Sequence, residues 1–217
     1  MIIAIDGPAG SGKSTISKLV AKDLDLIYLD TGAMYRLVTL KALKMGILDE
    51  NLENLDKINE LLDNLEIDIR EDGFYLDGVD VSEEIRKPIV SENVSKIAAI
   101  KEVRIKMVDL QRKFSKAKNV ILDGRDIGTV VFPNADLKVF LVADARERAN
   151  RRYKELTEKG ENVSLEEIYQ NILMRDKIDS TREEAPLKKA EDAIEVDTTS
   201  KNIAEVKEEI LNLYKNL

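Results

Sequence analysis

The 217-residue chain has no cysteine, no histidine and no tryptophan. Without cysteine there is no disulfide framework and no thiol chemistry. Without histidine, a Ser-His-Asp nucleophile and a His-ligated zinc are both excluded. Any general base must be a carboxylate, a lysine or a tyrosine. Aromatic residues make up 5% of the chain and proline contributes only four residues. No apolar run approaches the roughly 20 residues that a membrane helix requires. The first residues carry no basic region before their apolar run, which leads straight into Asp6, so no signal peptide is expected. The expectation is a soluble, cytoplasmic protein, with nothing in the sequence that demands more than a monomer. Basic excess is missing too. Lys and Arg total 34 against 42 Asp and Glu, a net charge of −8. A nucleic-acid binder should carry the opposite field, so no nucleic-acid partner is expected. A local basic site for small anions remains open.

What is present is a rhythm. Short apolar runs bounded by Asp or Gly recur at IIAID (residues 2–6), LIYLD (26–30), NVILDG (119–124), LKVFLVA (137–143) and AIEVDTT (193–199). Runs of this kind suit strands covered on both faces. Helical patterns lie between most of them. KSTISKLVAKDL sets Ile16, Leu19, Val20 and Leu24 at helical spacing, and the tail sets Ile203, Val206, Ile210 and Leu213 on one stripe behind Ser200 as N-cap. Alternating strands and helices imply an α/β fold with a doubly wound, parallel, five-stranded sheet. One segment breaks the rhythm. LEIDIREDGFYLDGVDV (65–81) carries Asp72-Gly73 and Asp77-Gly78 as turn signals, predicting a small antiparallel three-stranded meander. It reads as an insertion flanked by polar helices, one of them near ENLENLDKINELLDNL.

The first apolar run is followed by GPAGSGKST, which comprises Gly7, Pro8, Ala9, Gly10, Ser11, Gly12, Lys13, Ser14 and Thr15. Gly7, Gly12, Lys13 and Ser14 satisfy G-x-x-x-x-G-K-[ST] between a strand and a helix, the context that the motif requires. Glycines let several backbone N–H groups converge, and the helix N-terminus adds its partial positive charge. Lys13 would reach the β- and γ-phosphates of a nucleoside triphosphate, and the Ser14 hydroxyl would ligate Mg2+. The expected fold is therefore that of the P-loop NTPases.

Three further clusters bear on an acceptor. Thr31, Tyr35 and Arg36 in YLDTGAMYR fall at a strand's carboxyl end, where open α/β sheets place ligands, although a helix cap and a surface arginine would look the same. Asp123, Arg125 and Asp126 in ILDGRDIGTVVFP fit either a phosphate or base clamp beside Mg2+ or a solvated ion-pair turn. Arginines accumulate from Arg146 to Arg182, including Arg151, Arg152 and Arg175, with Arg175 and Asp179 spaced i, i+4. A charged helix face is the bland reading, and bidentate phosphate contact is the sharper one.

Taken with LDTGAMYR, DVSEEIR, LDGRDIGTVVFPNADLKVFL, RANRRYKEL and RDKIDSTREEAPLKKAEDAIEVDTT, the chain resembles the bacterial cytidylate kinases nearly end to end. These are nucleoside monophosphate kinases that move the ATP γ-phosphate to CMP or dCMP. Shikimate and adenylate kinases share the opening loop but not the DGRDIGTVVFP string. The resemblance implies that residues 7–15 hold the ATP phosphates, with Mg2+ as cofactor. It implies Arg36, Arg125 and Arg182 on the acceptor phosphate, and Ser95, Arg104 and Asp126 on cytosine. Arg175 and Asp179 would contact ribose, Thr31 would line the acceptor side, and Arg151 and Arg152 would close over ATP. It divides the chain into a core (1–40, 96–145 and 170–217), an acceptor-binding insertion (41–95) and an arginine-rich lid (146–169). Thr31 stands where some members carry Ser, and Ser14 where others carry Gly; both changes keep or supply a hydroxyl. Two alternatives stay open: a kinase for another acceptor (UMP, AMP or a small metabolite), and a nucleotide switch. No N/T-K-x-D guanine-reading string follows VFLVA, which counts against the switch.

Overall fold

A computed structural model describes residues 1–48, 54–70, 72–116 and 118–217. In chain order the elements are β1 (Ile2–Asp6), α1 (Lys13–Asp23), β2 (Ile27–Asp30), α2 (Thr31–Lys44), α3 (Leu55–Asp63), β3 (Ile67–Arg70), β4 (Gly73–Leu76) and β5 (Val79–Asp80). There follow α4 (Pro88–Ala98), α5 (Lys101–Ser115), β6 (Val120–Gly124), β7 (Leu137–Val142), α6 (Ala145–Glu158), α7 (Leu165–Thr181), β8 (Ile194–Asp197) and α8 (Ile203–Lys215). The backbone forms two compact units, Met1–Asp30 with Phe114–Leu217, and Thr31–Lys113.

The first unit holds a five-stranded sheet in the order β2-β6-β1-β7-β8, every pair parallel. All five apolar runs became its strands. From β1 the chain goes out to β2 on one side and later to β7 and β8 on the other. That reversal puts a topological switch point at the carboxyl end of β1, where α/β sheets bind ligands. Ile3, Ile5, Ile121, Val139, Leu141 and Val196 of the strands pack with Ile16 and Val20 of α1 and with Val206 and Ile210 of α8. This apolar layer makes the strand ends a rigid base for the site.

Helix α8 starts later than expected. Asn202, not Ser200, is its N-cap: the Asn202 side chain accepts from Glu205 N at 3.0 Å, and the Glu205 carboxylate accepts from Asn202 N at 2.8 Å. The delay follows from Asp197, whose carboxylate binds Thr199 N at 2.8 Å and Thr199 Oγ1 at 2.6 Å, forming a turn first. Ile203 is then the first helical residue and is exposed, while Leu211 is buried with Val206 and Ile210.

The second unit contains the expected meander, β3-β4-β5, antiparallel throughout. Leu76 pairs with Val79, leaving Asp77 and Gly78 as a two-residue turn with φ of 52° and 78°. Both positive values fit the hairpin turn that an Asp-Gly pair favours. Gly73 does something else. It pairs with Arg70 and opens β4, and a Cβ there would lie 2.6 Å from Ser82 Oγ. That hydroxyl accepts from Phe74 N at 2.9 Å, so the glycine makes room for a strand-end hydrogen bond and is not a turn residue. Leu76, Val81, Ile85 and Val90 pack against Ala33, Leu37 and Leu40 of α2. Of the polar helix expected around residues 50–65, α3 is present with Asn54 as N-cap, while residues 50–53 lie outside the described residues.

Candidate active site

The glycine segment leaves β1 at Gly7, whose φ is 149°. A Cβ on Gly7 would lie 2.1 Å from the Leu141 carbonyl oxygen on β7, so only glycine fits that approach. The loop ends at Gly12, which precedes α1 in a left-handed conformation and gives the helix no side-chain cap. The first-turn N–H groups of α1 therefore keep their hydrogen-bonding capacity for an anion. Lys13 is buried. Its Nζ donates to Pro8 O at 2.6 Å and Ser11 Oγ at 3.3 Å, folding the side chain across its own loop. Burial, then the Arg125 charge, holds this amine well below the ordinary lysine range, against the pull of Asp123 and Asp6. A polyphosphate in the loop would reverse that balance and favour the charged amine.

Ser14, the second residue of α1, donates from Oγ to Asp123 Oδ2 at 2.7 Å. Tyr28 of β2 donates its hydroxyl to Asp123 Oδ1, also at 2.7 Å. The β2–β6 register sets Asp30 opposite Asp123. Burial, then the Asp30 charge, pushes the Asp123 carboxyl up to about 6. A hydroxyl, a carboxylate with both oxygens fixed and a second carboxylate beside it form a set of hard oxygen donors. That chemistry fits Mg2+. Among the described residues no group of three or more His, Cys, Asp or Glu is gathered as a metal cage. The set suits a cation that brings most of its ligands with it, as phosphates and water.

Asp6 ends β1 and is also buried. Its carboxylate accepts from Ile127 N at 2.9 Å and Gly128 N at 2.7 Å, the opening amides of a single wide turn over Ile127–Val131. Burial pushes this carboxyl up to about 6, against those two hydrogen bonds. Asp6 thus joins the strand that carries the glycine loop to the turn that follows Asp126.

At the end of β6 the structure brings Arg125, Asp126, Asp179 and Arg182 together. Arg125 Nε donates to Asp179 Oδ2 at 3.0 Å. Arg182 lies 3.8 Å from Asp179 Oδ1 and 4.0 Å from Asp126 Oδ1, and donates to Ala185 O at 2.9 and 2.7 Å. Burial alone would raise the Asp179 carboxyl. The charges of Arg125, Arg175 and Arg182 outweigh it and hold the group below its usual range. Arg175, half-buried on α7, is lowered to about 10 by burial and then by Arg125. The i, i+4 spacing does put Arg175 close enough to act on Asp179, but the carboxylate's hydrogen-bonded partner is Arg125.

The α6 arginines have separate fates. Arg151 binds Thr198 O at 2.5 Å, Thr198 Oγ1 at 3.1 Å and Glu147 at 3.2 Å. Arg152 binds Glu155 at 2.7 Å. Arg148, which nothing in the sequence singles out from its neighbours, is the buried one. In the second unit, Arg36 Nη1 donates to Ile85 O at 3.1 Å and Ser91 Oγ at 2.8 Å. Arg104 Nη1 donates to Ala98 O at 3.0 Å, and its guanidinium lies 5.3 Å from the Tyr35 ring centroid. Thr31 opens α2, and Ser95 is buried on α4. Sequence reasoning missed Tyr28, Asp6 and Ser91 as partners of these groups; only contact in space reveals them.

Among the described residues no helix is long and apolar enough to cross a membrane. The sequence profile of the family described as Cytidylate kinase matches residues 3–216. The chain is 56% identical over 212 residues to a cytidylate kinase of Clostridioides difficile (strain 630), covering 98% of this chain and 97% of that one. It is 57% identical over 206 residues to a cytidylate kinase of Fusobacterium nucleatum subsp. nucleatum, covering 95% and 93%. Among solved structures, an uncharacterized protein from Eubacterium ventriosum ATCC 27560 matches with a TM-score of 0.53 at 14% identity, over 100% of this chain and 99% of that one. That last likeness is one of fold alone.

Proposed function

The chain belongs to the cytidylate kinase family, and we propose that it transfers the γ-phosphoryl group of Mg-ATP to CMP and dCMP by direct in-line displacement. Family membership and identity of this extent make it an ATP-dependent phosphotransferase that phosphorylates CMP. The residue roles, the metal and dCMP are the finer proposal. We also infer a cytoplasmic monomer without a nucleic-acid partner.

The observation that carries the reading is the cluster at the end of β6. Asp126, Asp179 and Arg182 are buried there beside Arg125. Acidic and basic side chains gathered at the carboxyl end of one strand, where open α/β sheets bind ligands, suit a site for a second charged nucleotide.

The loop from Gly7 to Thr15 would cradle the triphosphate, with Lys13 on the β- and γ-oxygens. Ser14 and Asp123 would hold Mg2+, which when bound offsets charge on the phosphates. Arg36, Arg125 and Arg182 would neutralise the acceptor phosphate, whose repulsion of ATP otherwise blocks approach. One of its oxygens, already anionic, attacks the γ-phosphorus. The bond to the β–γ bridging oxygen breaks and ADP leaves with that electron pair. No covalent enzyme intermediate and no strong base are needed, which fits a chain without histidine or cysteine. Arg151 and Arg152 would steady the ATP phosphates, and Arg175 and Asp179 the acceptor ribose, with Thr31 beside the acceptor. We keep the functional division into core, acceptor-binding insertion (41–95) and lid (146–169).

Ser95, Arg104 and Asp126 would read the base. A carboxylate accepts from the 4-amino group of cytosine, and a guanidinium donates to its N3. Uracil reverses both patterns and leaves buried polar groups unpaired. ADP release with every nucleoside monophosphate in turn tests this. CMP and dCMP should exceed UMP by about 100-fold or more in kcat/KM. Equal use of UMP would overturn the base assignment, and no monophosphate-stimulated ADP release would overturn the whole reading.

A further inference from the structure

We propose that Arg148 and Asp176 are a positioning pair that presets the triphosphate cradle from behind. The inference rests on the reading of the glycine loop as that cradle. Arg148 lies on α6, an exposed, strongly charged helix, yet it is only 4% exposed. Its guanidinium makes four hydrogen bonds to three separate segments. Nε donates to Ala143 O at 2.9 Å. Nη1 donates to Ala9 O at 2.9 Å and Asp176 Oδ1 at 3.1 Å, and Nη2 to Asp176 Oδ2 at 2.6 Å.

The contact with Ala9 is the one that matters for binding. A trans peptide is planar, so its C=O and the next N–H point in opposite directions. Gripping the Ala9 carbonyl on the Arg148 side fixes the Gly10 N–H toward the other side. The Ala9–Gly10 peptide ends in a glycine at φ 76°, a residue whose own side imposes little limit on the direction of that amide. Without the grip this amide samples other directions, and a ligand must order it on arrival. The loop also rests on the side chain itself, since a Cβ at Gly10 would lie 3.3 Å from Arg148 Cβ.

Asp176 explains why the arginine can be there. A buried guanidinium needs a carboxylate, and the two-pronged contact fixes its plane as well as its charge. Lysine could supply the charge but not the fork that reaches Ala143, Ala9 and Asp176 at once. Asp176 sits on α7 next to Arg175, so the same pair ties the back of the loop to the helix that carries Arg175 and Asp179.

The test is calorimetric binding of ATP and, separately, of CMP to the full chain, alongside thermal unfolding, for Arg148→Lys and Asp176→Asn. The ATP Kd should rise about tenfold in Arg148→Lys and by less in Asp176→Asn, with the CMP Kd within about twofold of wild type in both. The double variant should bind ATP little worse than Arg148→Lys alone, because the two residues act as one unit. A purely structural role would lower the unfolding temperature and weaken both ligands alike, and that result overturns the proposal. So does an unchanged ATP Kd in a variant that unfolds cooperatively. Should Arg148→Lys fail to fold, Asp176→Asn carries the same comparison. A wild-type chain that binds no ATP overturns the cradle reading and this inference with it; wild-type binding with unaltered variants overturns the inference alone.

Discussion

On the proposed reading, the glycine loop and the second unit would recognise their ligands in opposite ways. The loop is one contiguous stretch, residues 7–15, and its instrument is the backbone: Gly7 fits beneath Leu141 O, and α1 begins without a side-chain cap. The second unit distributes its candidates over three helices. Arg36 on α2 is steadied by Ile85 O and Ser91, Ser95 is buried on α4, and Arg104 on α5 is steadied by Ala98 O. A triphosphate is the same in every nucleotide, so amides suffice for it. A base must be told from its rivals, and that takes side chains with donors and acceptors set out in a particular pattern. Backbone recognition is local in sequence, whereas side-chain recognition need not be.

The harshest way to break this comparison is at Lys13, the one side-chain cation inside the backbone cradle. Lys13→Ala should lower kcat by about a thousandfold or more, if its ammonium offsets charge developing on the transferring phosphoryl group. Steady-state rates at saturating ATP and CMP measure it. Near-normal turnover would mean that amides alone do the work assigned to the lysine.

Next in size is selectivity at Asp126, a side-chain candidate that lies in the first unit. Asp126→Asn keeps the shape of the group but presents both a donor and an acceptor. The preference for CMP over UMP should then collapse by about 100-fold, through loss of CMP activity and some gain with UMP. An unchanged ratio of kcat/KM values would move base reading away from Asp126.

The same contrast governs what the sequence discloses. Five apolar runs, each closed by Asp or Gly, gave five parallel strands because strands buried on both faces leave a continuous signal. The glycine loop is legible for the same reason of contiguity. The proposed base readers Ser95 and Arg104 are not legible in this way: on α4 and α5 they look like any helical serine or arginine, and only likeness to a family points to them. Arg148 sits among Arg146, Arg151 and Arg152 with nothing local to mark it as the buried one. Ser200 lost the capping position to Asn202 because a turn made by Asp197 used up the intervening residues. At residues 72–73 the sequence shows an Asp-Gly pair but not the Ser82 hydroxyl, which occupies the place a Cβ on Gly73 would need.

Asp6 touches both contiguous candidates of the first unit, since it ends the strand that leads into the glycine loop and holds the amides that follow Asp126. Its carboxyl is pushed up to about 6 from an ordinary 3.8. Between those values the folded chain keeps a proton that the unfolded chain has released. The contribution to stability is therefore greatest below about pH 4, falls as pH rises toward 6, and is level above it. Asp6→Asn does not titrate. The unfolding free energy of the wild type relative to this variant should fall between pH 4 and pH 7, by up to about 3 kcal/mol. A difference that stays constant over that range would show that Asp6 ionises as an ordinary carboxylate.

The smallest effect sharpens the comparison most, because it removes one oxygen atom. Tyr28 belongs to neither half: it is a strand residue whose hydroxyl fixes one oxygen of Asp123 while Ser14 fixes the other. Phenylalanine keeps the ring and its packing, so Tyr28→Phe leaves the sheet intact and frees one side of the carboxylate. If Asp123 helps to place Mg2+ against the cradle, the freed carboxylate must be ordered each time the cation binds. The Mg2+ concentration for half-maximal rate should rise about tenfold, the usual scale for losing a partner behind a metal-holding group, while kcat at saturating Mg2+ changes little. Mg2+-dependent tightening of ATP binding, followed by calorimetry, should weaken in step. The same Mg2+ dependence in both proteins would leave Tyr28 as a packing residue with no part in orienting Asp123.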